Sequence, residues 1–95
     1  MSHALSSLEA FADISESMTK AADAQEWEQV VLLGQERDRL LKTLPENLAP
    51  HLLPAERPLA RKLLENCRQL DAQTAALLGE RHNELRVLLR EPVLA

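Results

Sequence analysis

The chain has no tyrosine, one phenylalanine (Phe11), one tryptophan (Trp27), one cysteine and two glycines among its 95 residues. Valine, isoleucine and threonine together number eight. Sheets draw on β-branched and aromatic side chains, so this scarcity excludes most β-folds. Two glycines, Gly34 and Gly79, leave nothing from which to build a glycine-rich phosphate loop. A single cysteine, Cys67, forms no internal disulfide, and nothing points to an oxidising compartment. No basic excess exists either: the net charge is −4, a poor basis for holding nucleic acid or an anionic membrane by charge alone. No apolar run approaches the ~18 residues of a membrane span. The start, Met1-Ser2-His3, shows no basic segment leading into an apolar stretch, so no signal peptide is expected and the expected location is cytoplasmic.

What remains is rich in helix formers. Leucine occurs twenty times and alanine thirteen times, and 45% of the residues are apolar. The expected fold class is all-α, folded as one domain over residues 1–95. Charge is unevenly spread. Residues 1–36 hold seven acids and one base (−6), whereas residues 37–95 hold eight acids and ten bases (+2).

Periodicity places the helices. Leu8, Phe11, Ser15, Met18 and Ala22 recur at steps of three and four, which predicts a first helix over about 5–22. Ser6 and Glu9 have capping-box spacing at its start, and Ser2 offers an earlier cap. Asp23 and Glu26 repeat that spacing just before Trp27, predicting a second helix over about 24–43. Trp27, Val30, Val31, Gly34, Leu40, Leu41 and Leu44 are assigned to one broad face of it, with Trp27 as a packing anchor. Pro45, Pro50, Pro54 and Pro58 then bar a continuous helix, so residues 44–56 are irregular, with one short turn near Glu46–His51. A third helix is expected over about 57–90, stopped by Pro92. Its stripe is Leu63, Cys67, Leu70, Thr74, Leu77, Arg81, Leu85 and Leu88, widened by Leu59, Leu64, Leu78 and Leu89. The architecture is thus an antiparallel three-helix bundle (up-down-up) with a proline-rich loop before a long third helix.

Length carries the first functional reading. At ~1.5 Å per residue the third helix outruns the other two by ~20 Å, near Leu78–Arg90. A helix end carrying Leu85, Val87, Leu88 and Leu89 without cover is an interaction surface. It suits another protein's apolar helix, or a second copy of this chain in a homodimer.

Catalytic chemistry is not visible. His3, His51 and His82 stand apart from one another and from Cys67, so no metal set or cofactor is expected, and Cys67 falls on the core stripe as an inert thiol. No strand–turn–helix elbow surrounds a serine. A small helical chorismate mutase would need several inward cations for a dicarboxylate, and only Lys20, Arg37 and Arg81 are placed for that. A helix-turn-helix at residues 22–26 would sit between acidic helices that repel phosphate. The expectation is a non-enzyme with no nucleic-acid or membrane partner.

Trp27, Val30, Leu33, Glu36-Arg37, Leu40-Leu41 and Leu44, followed by Leu63-Leu64, Leu70-Asp71, Leu77, Arg81 and Glu84-Leu85, form a pattern that resembles the FliT family of bacterial flagellar export chaperones. The tryptophan after a short acidic turn, the Glu-Arg pair in mid-helix and the later Leu-Asp pair carry the resemblance. It implies a cytoplasmic helical chaperone that holds the filament-cap protein, FliD, before type III export. It also implies contacts with export-apparatus components and, in some members, with a flagellar master regulator. Family members bind a client's C-terminal helical segment in an apolar groove of the second and third helices, and longer members cover it with a further helix that this chain is not expected to have. Together with the overhang, this implies a partner-binding set of Leu33, Leu40, Leu41, Leu77, Leu78, Arg81, Leu85, Leu88 and Leu89, with Arg86 and Arg90 flanking. Alternatives are another helical adaptor, a hook-junction type of export chaperone, or the mutase.

Overall fold

The structure, a computed structural model, describes the backbone of residues 3–94 and the side chains of residues 3–88. Three α-helices, α1 (His3–Asp23), α2 (Trp27–Leu41) and α3 (Arg57–Leu94), form an up-down-up bundle, and the described residues contain no strand. Two 3-10 turns, Ala49–His51 and Pro54–Glu56, fill the proline-rich connection where one had been expected. The Glu56 carboxylate accepts the Leu53 amide at 2.8 Å, which closes the second turn and leads directly into α3.

α1 is the hub, packing along both of the other helices. Small side chains make this possible. Ala4, Ser15 and Ala22 on α1 and Ala60, Cys67 and Thr74 on α3 are all buried. The last three recur every seven residues, the spacing by which a helix keeps one face toward its neighbour through a slight left-handed supercoil. Apolar burial is divided in two. One cluster joins Ala4, Leu5, Leu8, Leu52 and Ala60 near the proline-rich loop. The other joins Met18, Ala21, Ala22 and Val30 near the α1–α2 turn, with Ile14, Trp27, Leu33 and Leu77 packed on it. Between them lies a polar waist. Thr19 Oγ1 sits 2.8 Å from Thr74 Oγ1, and its proton serves the Leu70 carbonyl at 3.2 Å and the Ser15 carbonyl at 3.1 Å. No buried side-chain polar atom among the described residues lacks a partner, so the waist avoids the penalty of burying polar groups unpaired.

Several boundaries differ from expectation. α1 starts by His3, so Ser6 lies inside the helix and its capping box with Glu9 is not the start; Ser2 lies outside the described residues. The Asp23–Glu26 capping box does not form either. Asp23 closes α1, and Glu26 is the N-cap of α2 without a side-chain cap bond. A Schellman turn takes those residues. The Glu26 amide donates to the Ala21 carbonyl at 2.8 Å and the Gln25 amide to Ala22 at 3.1 Å, with Gln25 in the left-handed region at φ 61°. α2 therefore spans Trp27–Leu41, shorter at both ends than 24–43. α3 continues past Arg90 and through Pro92 to Leu94. Proline so near a helix end removes only one amide, the partner of the Leu88 carbonyl, which the last turn tolerates.

Val31 is 58% exposed and does not share the core face assigned to it. The long axis is set by α3, whose 38 residues extend about 57 Å, against about 31 Å for the 21 residues of α1. The radius of gyration, 17.1 Å, exceeds the ~12–13 Å of a compact chain of this length for that reason.

Candidate functional site

α2 and α3 meet mainly through long side chains. At mid-height Arg37 reaches from α2 across α1. Its guanidinium lies 5.2 Å from the centre of the Phe11 ring, Nη1 donates to Ser15 Oγ at 3.1 Å, and the same nitrogen bonds Asp71 Oδ1 on α3. Near the α1–α2 turn, Arg81 of α3 stacks its guanidinium 5.3 Å from the centre of the Trp27 ring. Both arginines weighed as inward cations for an enzyme site thus have intrachain partners. The Glu-Arg and Leu-Asp pairs seen in the sequence meet here, because Arg37 and Asp71 are the two ends of one ion pair.

That ion pair orients α3. Asp71 faces α2, so the residues that share its flank at seven-residue spacing, Leu64, Leu78 and Leu85, form the α3 wall of the α2–α3 face. These three leucines are 42%, 43% and 39% exposed. On α2 the matching flank runs through Trp27, Gly34 and Leu41, with Leu41 exposed. At the loop end, Leu41 and Leu64 open into a cleft of about 620 Å³ lined also by Leu8, Phe11, Leu44 and Leu48.

The expected partner-binding residues therefore separate into groups. Leu41, Leu78, Arg81 and Leu85 lie along the α2–α3 face. Leu33 and Leu77 instead pack on the cluster around Met18 and Val30 and belong to the interior, a departure from the expected groove wall. Leu33 lies one turn after the buried Val30, and Leu40 lies seven residues further along the same side of α2. Leu88, with Val87, lies beyond Arg81 and is exposed. The side chains of Leu89 and Arg90 lie outside the described residues. Sequence reasoning left out Leu64 and Asp71; the Leu64–Leu78–Leu85 repeat was the signal for the first, and nothing in spacing marks the partner of the second.

Cys67 is buried beside Ser15. Burial pushes its thiol above the ordinary range, opposed by the Ser15 hydrogen bond, reinforced by Asp71 and opposed again by Arg37. Among the described residues, no three His, Cys, Asp or Glu side chains converge to hold a metal ion, and no helix is long and apolar enough to cross a membrane.

Fold and face together define a small all-α bundle with a partly exposed leucine row on its third helix and exposed Val87 and Leu88 further along it. The family model for flagellar protein FliT matches residues 5–92, nearly the whole chain. The chain belongs to the FliT family of flagellar export chaperones. No match was found among curated proteins or among solved structures.

Proposed function

We propose that this chain is a cytoplasmic export chaperone that holds the filament-cap protein before type III secretion, gripping an apolar helix from that client's C-terminal segment. The client helix lies along the α2–α3 face and onto the free end of α3. The observation that supports this reading is the exposure of leucines on α3: Leu78, Leu85 and Leu88 are 43%, 39% and 60% exposed on the helix that, nearer its start, buries Ala60, Cys67 and Thr74. A solvated helix gains nothing from such a row, whereas a partner helix that covers it gains ~25 cal/mol for each Å² of apolar surface removed from water. Arg86 flanks the row and serves association rate and register with client acids. Family membership extends the proposal to export-apparatus components and a flagellar master regulator.

The test is the double variant Leu85→Ala/Leu88→Ala, titrated by calorimetry against the C-terminal segment of the filament-cap protein. Each truncated leucine is expected to lose ~1–3 kcal/mol of binding, or about one to two decades in affinity. Unchanged binding by a folded double variant removes the site. The exposure of Val87 and Leu88, 54% and 60%, favours a second reading, a homodimer through the same helix end. Lost self-association with intact client binding selects it.

A further inference from the structure

The leucine row on α3 is interrupted once. Leu64, Leu78 and Leu85 occupy three of four successive heptad positions, and Asp71 occupies the other. Its carboxylate is half-exposed, with side-chain accessibility of 48%, and only Oδ1 is engaged, by Arg37. Oδ2 has no hydrogen-bond partner among the described residues. While the face is open, water fills that position. A helix laid along the row would strip the water away and leave a carboxylate oxygen buried with an unmet acceptor.

We infer that Asp71 is a specificity-determining residue of this face: the occupant it fits is an amphipathic helix whose apolar stripe carries one basic residue opposite Asp71, flanked seven residues to either side by apolar residues that meet Leu64 and Leu78. This rests on the helix-binding reading proposed above and adds the chemistry of the partner. The geometry sets the register. A helix running along α3 rises at the same pitch, so its positions i, i+7 and i+14 meet Leu64, Asp71 and Leu78. The whole row to Leu85 covers about 32 Å, or a partner segment of about 22 residues. Lysine or arginine at i+7 donates to Oδ2 and completes the pairing begun by Arg37. Leucine at i+7 packs as well by shape yet leaves the oxygen desolvated, and leaving a charged acceptor unmet costs more than a neutral one. The leucines thus supply affinity that any apolar helix shares, and the aspartate rejects helices whose stripe is uninterrupted.

Two synthetic helical peptides of 22 residues test this. Both carry leucine at heptad positions; one has lysine at the second of these and the other leucine. Affinities are measured at fixed low salt for the wild-type chain, for Asp71→Asn, which keeps an acceptor for Arg37, and for Arg37→Met/Asp71→Leu, with helix content and melting checked for each. Wild type is expected to prefer the lysine peptide by about tenfold or more, Asp71→Asn to reduce the preference below about threefold, and the double variant to prefer the leucine peptide. An equal preference in wild type and a folded Asp71→Asn overturns the inference. So does a wild type that favours the leucine peptide, or one that binds neither. The filament-cap segment is titrated alongside. If it binds while wild type ignores the lysine, the role of Asp71 fails and the chaperone reading stands. If the peptides are discriminated and the cap segment does not bind, the selective face stands and the client assignment fails.

Discussion

Replacing Arg37 by methionine should destabilise the bundle by about 2–3 kcal/mol although the residue lies in neither apolar cluster. Methionine keeps most of the aliphatic bulk, so the loss isolates the guanidinium. The hydrogen bond to Ser15 Oγ, 3.1 Å long, contributes ~1 kcal/mol. The ion pair with Asp71 is half-exposed on the carboxylate side and contributes ~0.5–1 kcal/mol. Stacking over Phe11 at 5.2 Å contributes ~0.5–1 kcal/mol. Ser15 itself keeps a partner, because its hydroxyl still donates to the Phe11 carbonyl at 3.0 Å, so no orphan penalty is added. The sum corresponds to a fall in Tm of about 10–20 °C for a domain of this size. Arg37→Lys should recover less than half of the loss, since a compact ammonium has no planar group to lie over the Phe11 ring while its protons reach Ser15 and Asp71. Urea unfolding of Arg37→Met, Asp71→Asn and the double variant completes the cycle, with an expected coupling of ~0.5–1 kcal/mol that shrinks in ~1 M salt. A loss below ~0.5 kcal/mol for Arg37→Met, or strict additivity of the two substitutions, would falsify the description of Arg37 as the tie between α2 and α3.

Gln25→Gly should raise stability by ~0.5–1 kcal/mol, because Gln25 sits at φ 61° where only glycine escapes the Cβ penalty; a lower Tm refutes the turn geometry. Gly34→Ala should add ~0.5–1 kcal/mol, since a Cβ there meets only the Met18 methyl at 3.7 Å, an ordinary contact; a loss above ~1 kcal/mol by urea titration shows that the α1–α2 spacing is tighter. Trp27→Ala should cost ~2–3 kcal/mol, less than for a fully buried ring, because Trp27 is only half-buried under Arg81; an unchanged melt shows that the ring is not part of the core. Cys67 should react with thiol reagents at a rate limited by opening of the bundle. Its folded pKa lies above the ordinary 9.0, so its contribution to stability is full below about pH 9 and declines as pH rises from there through the folded value. Cys67→Ala should flatten that alkaline decline in urea titrations, and an unchanged slope refutes the assignment.

The helical class and the long third helix were legible because leucine spacing on α3 follows burial from Ala60 to Arg81 and then simply continues into solvent. Helix ends were less legible, for a physical reason: the residues that resemble caps, Asp23 and Glu26, are spent in a turn closed by backbone bonds. The turn depends on Gln25 accepting a conformation that its side chain opposes. The face was half legible. Leu41, Leu78 and Leu85 follow from periodicity, but Leu33 and Leu77 are as apolar as they are, and only the order in which α1 separates α2 from α3 decides which flank is outside. Arg37 and Asp71 stand 34 residues apart in a chain of many charges. No spacing rule pairs residues that meet across two helices.

The polar waist explains why a bundle so rich in leucine settles in one register. Cys67, Thr74 and Arg81 on the inner face, and Leu64, Asp71, Leu78 and Leu85 beside them, repeat every seven residues, so sliding α3 by one heptad keeps most apolar contacts. The polar contacts do not survive the slide. Moved seven residues in either direction, α3 sets Leu64 or Leu78 before the Arg37 guanidinium and Cys67 or Arg81 before Thr19. Either slide breaks the Arg37–Asp71 pair and the Thr19–Thr74 hydrogen bond, at roughly 0.5–1.5 kcal/mol for each. Together these losses favour the native register by about 1–3 kcal/mol, a factor of roughly ten to a hundred in population. Asp71 thus interrupts the leucine row for the sake of the fold, since without a carboxylate there Arg37 has nothing on α3 to hold. The same interruption would confront the helix proposed to cover the row, because one oxygen of that carboxylate is held by Arg37 and the carboxylate is half-exposed. If Asp71 also selects the partner as inferred above, a substitution that removes its carboxylate should loosen register and selectivity together.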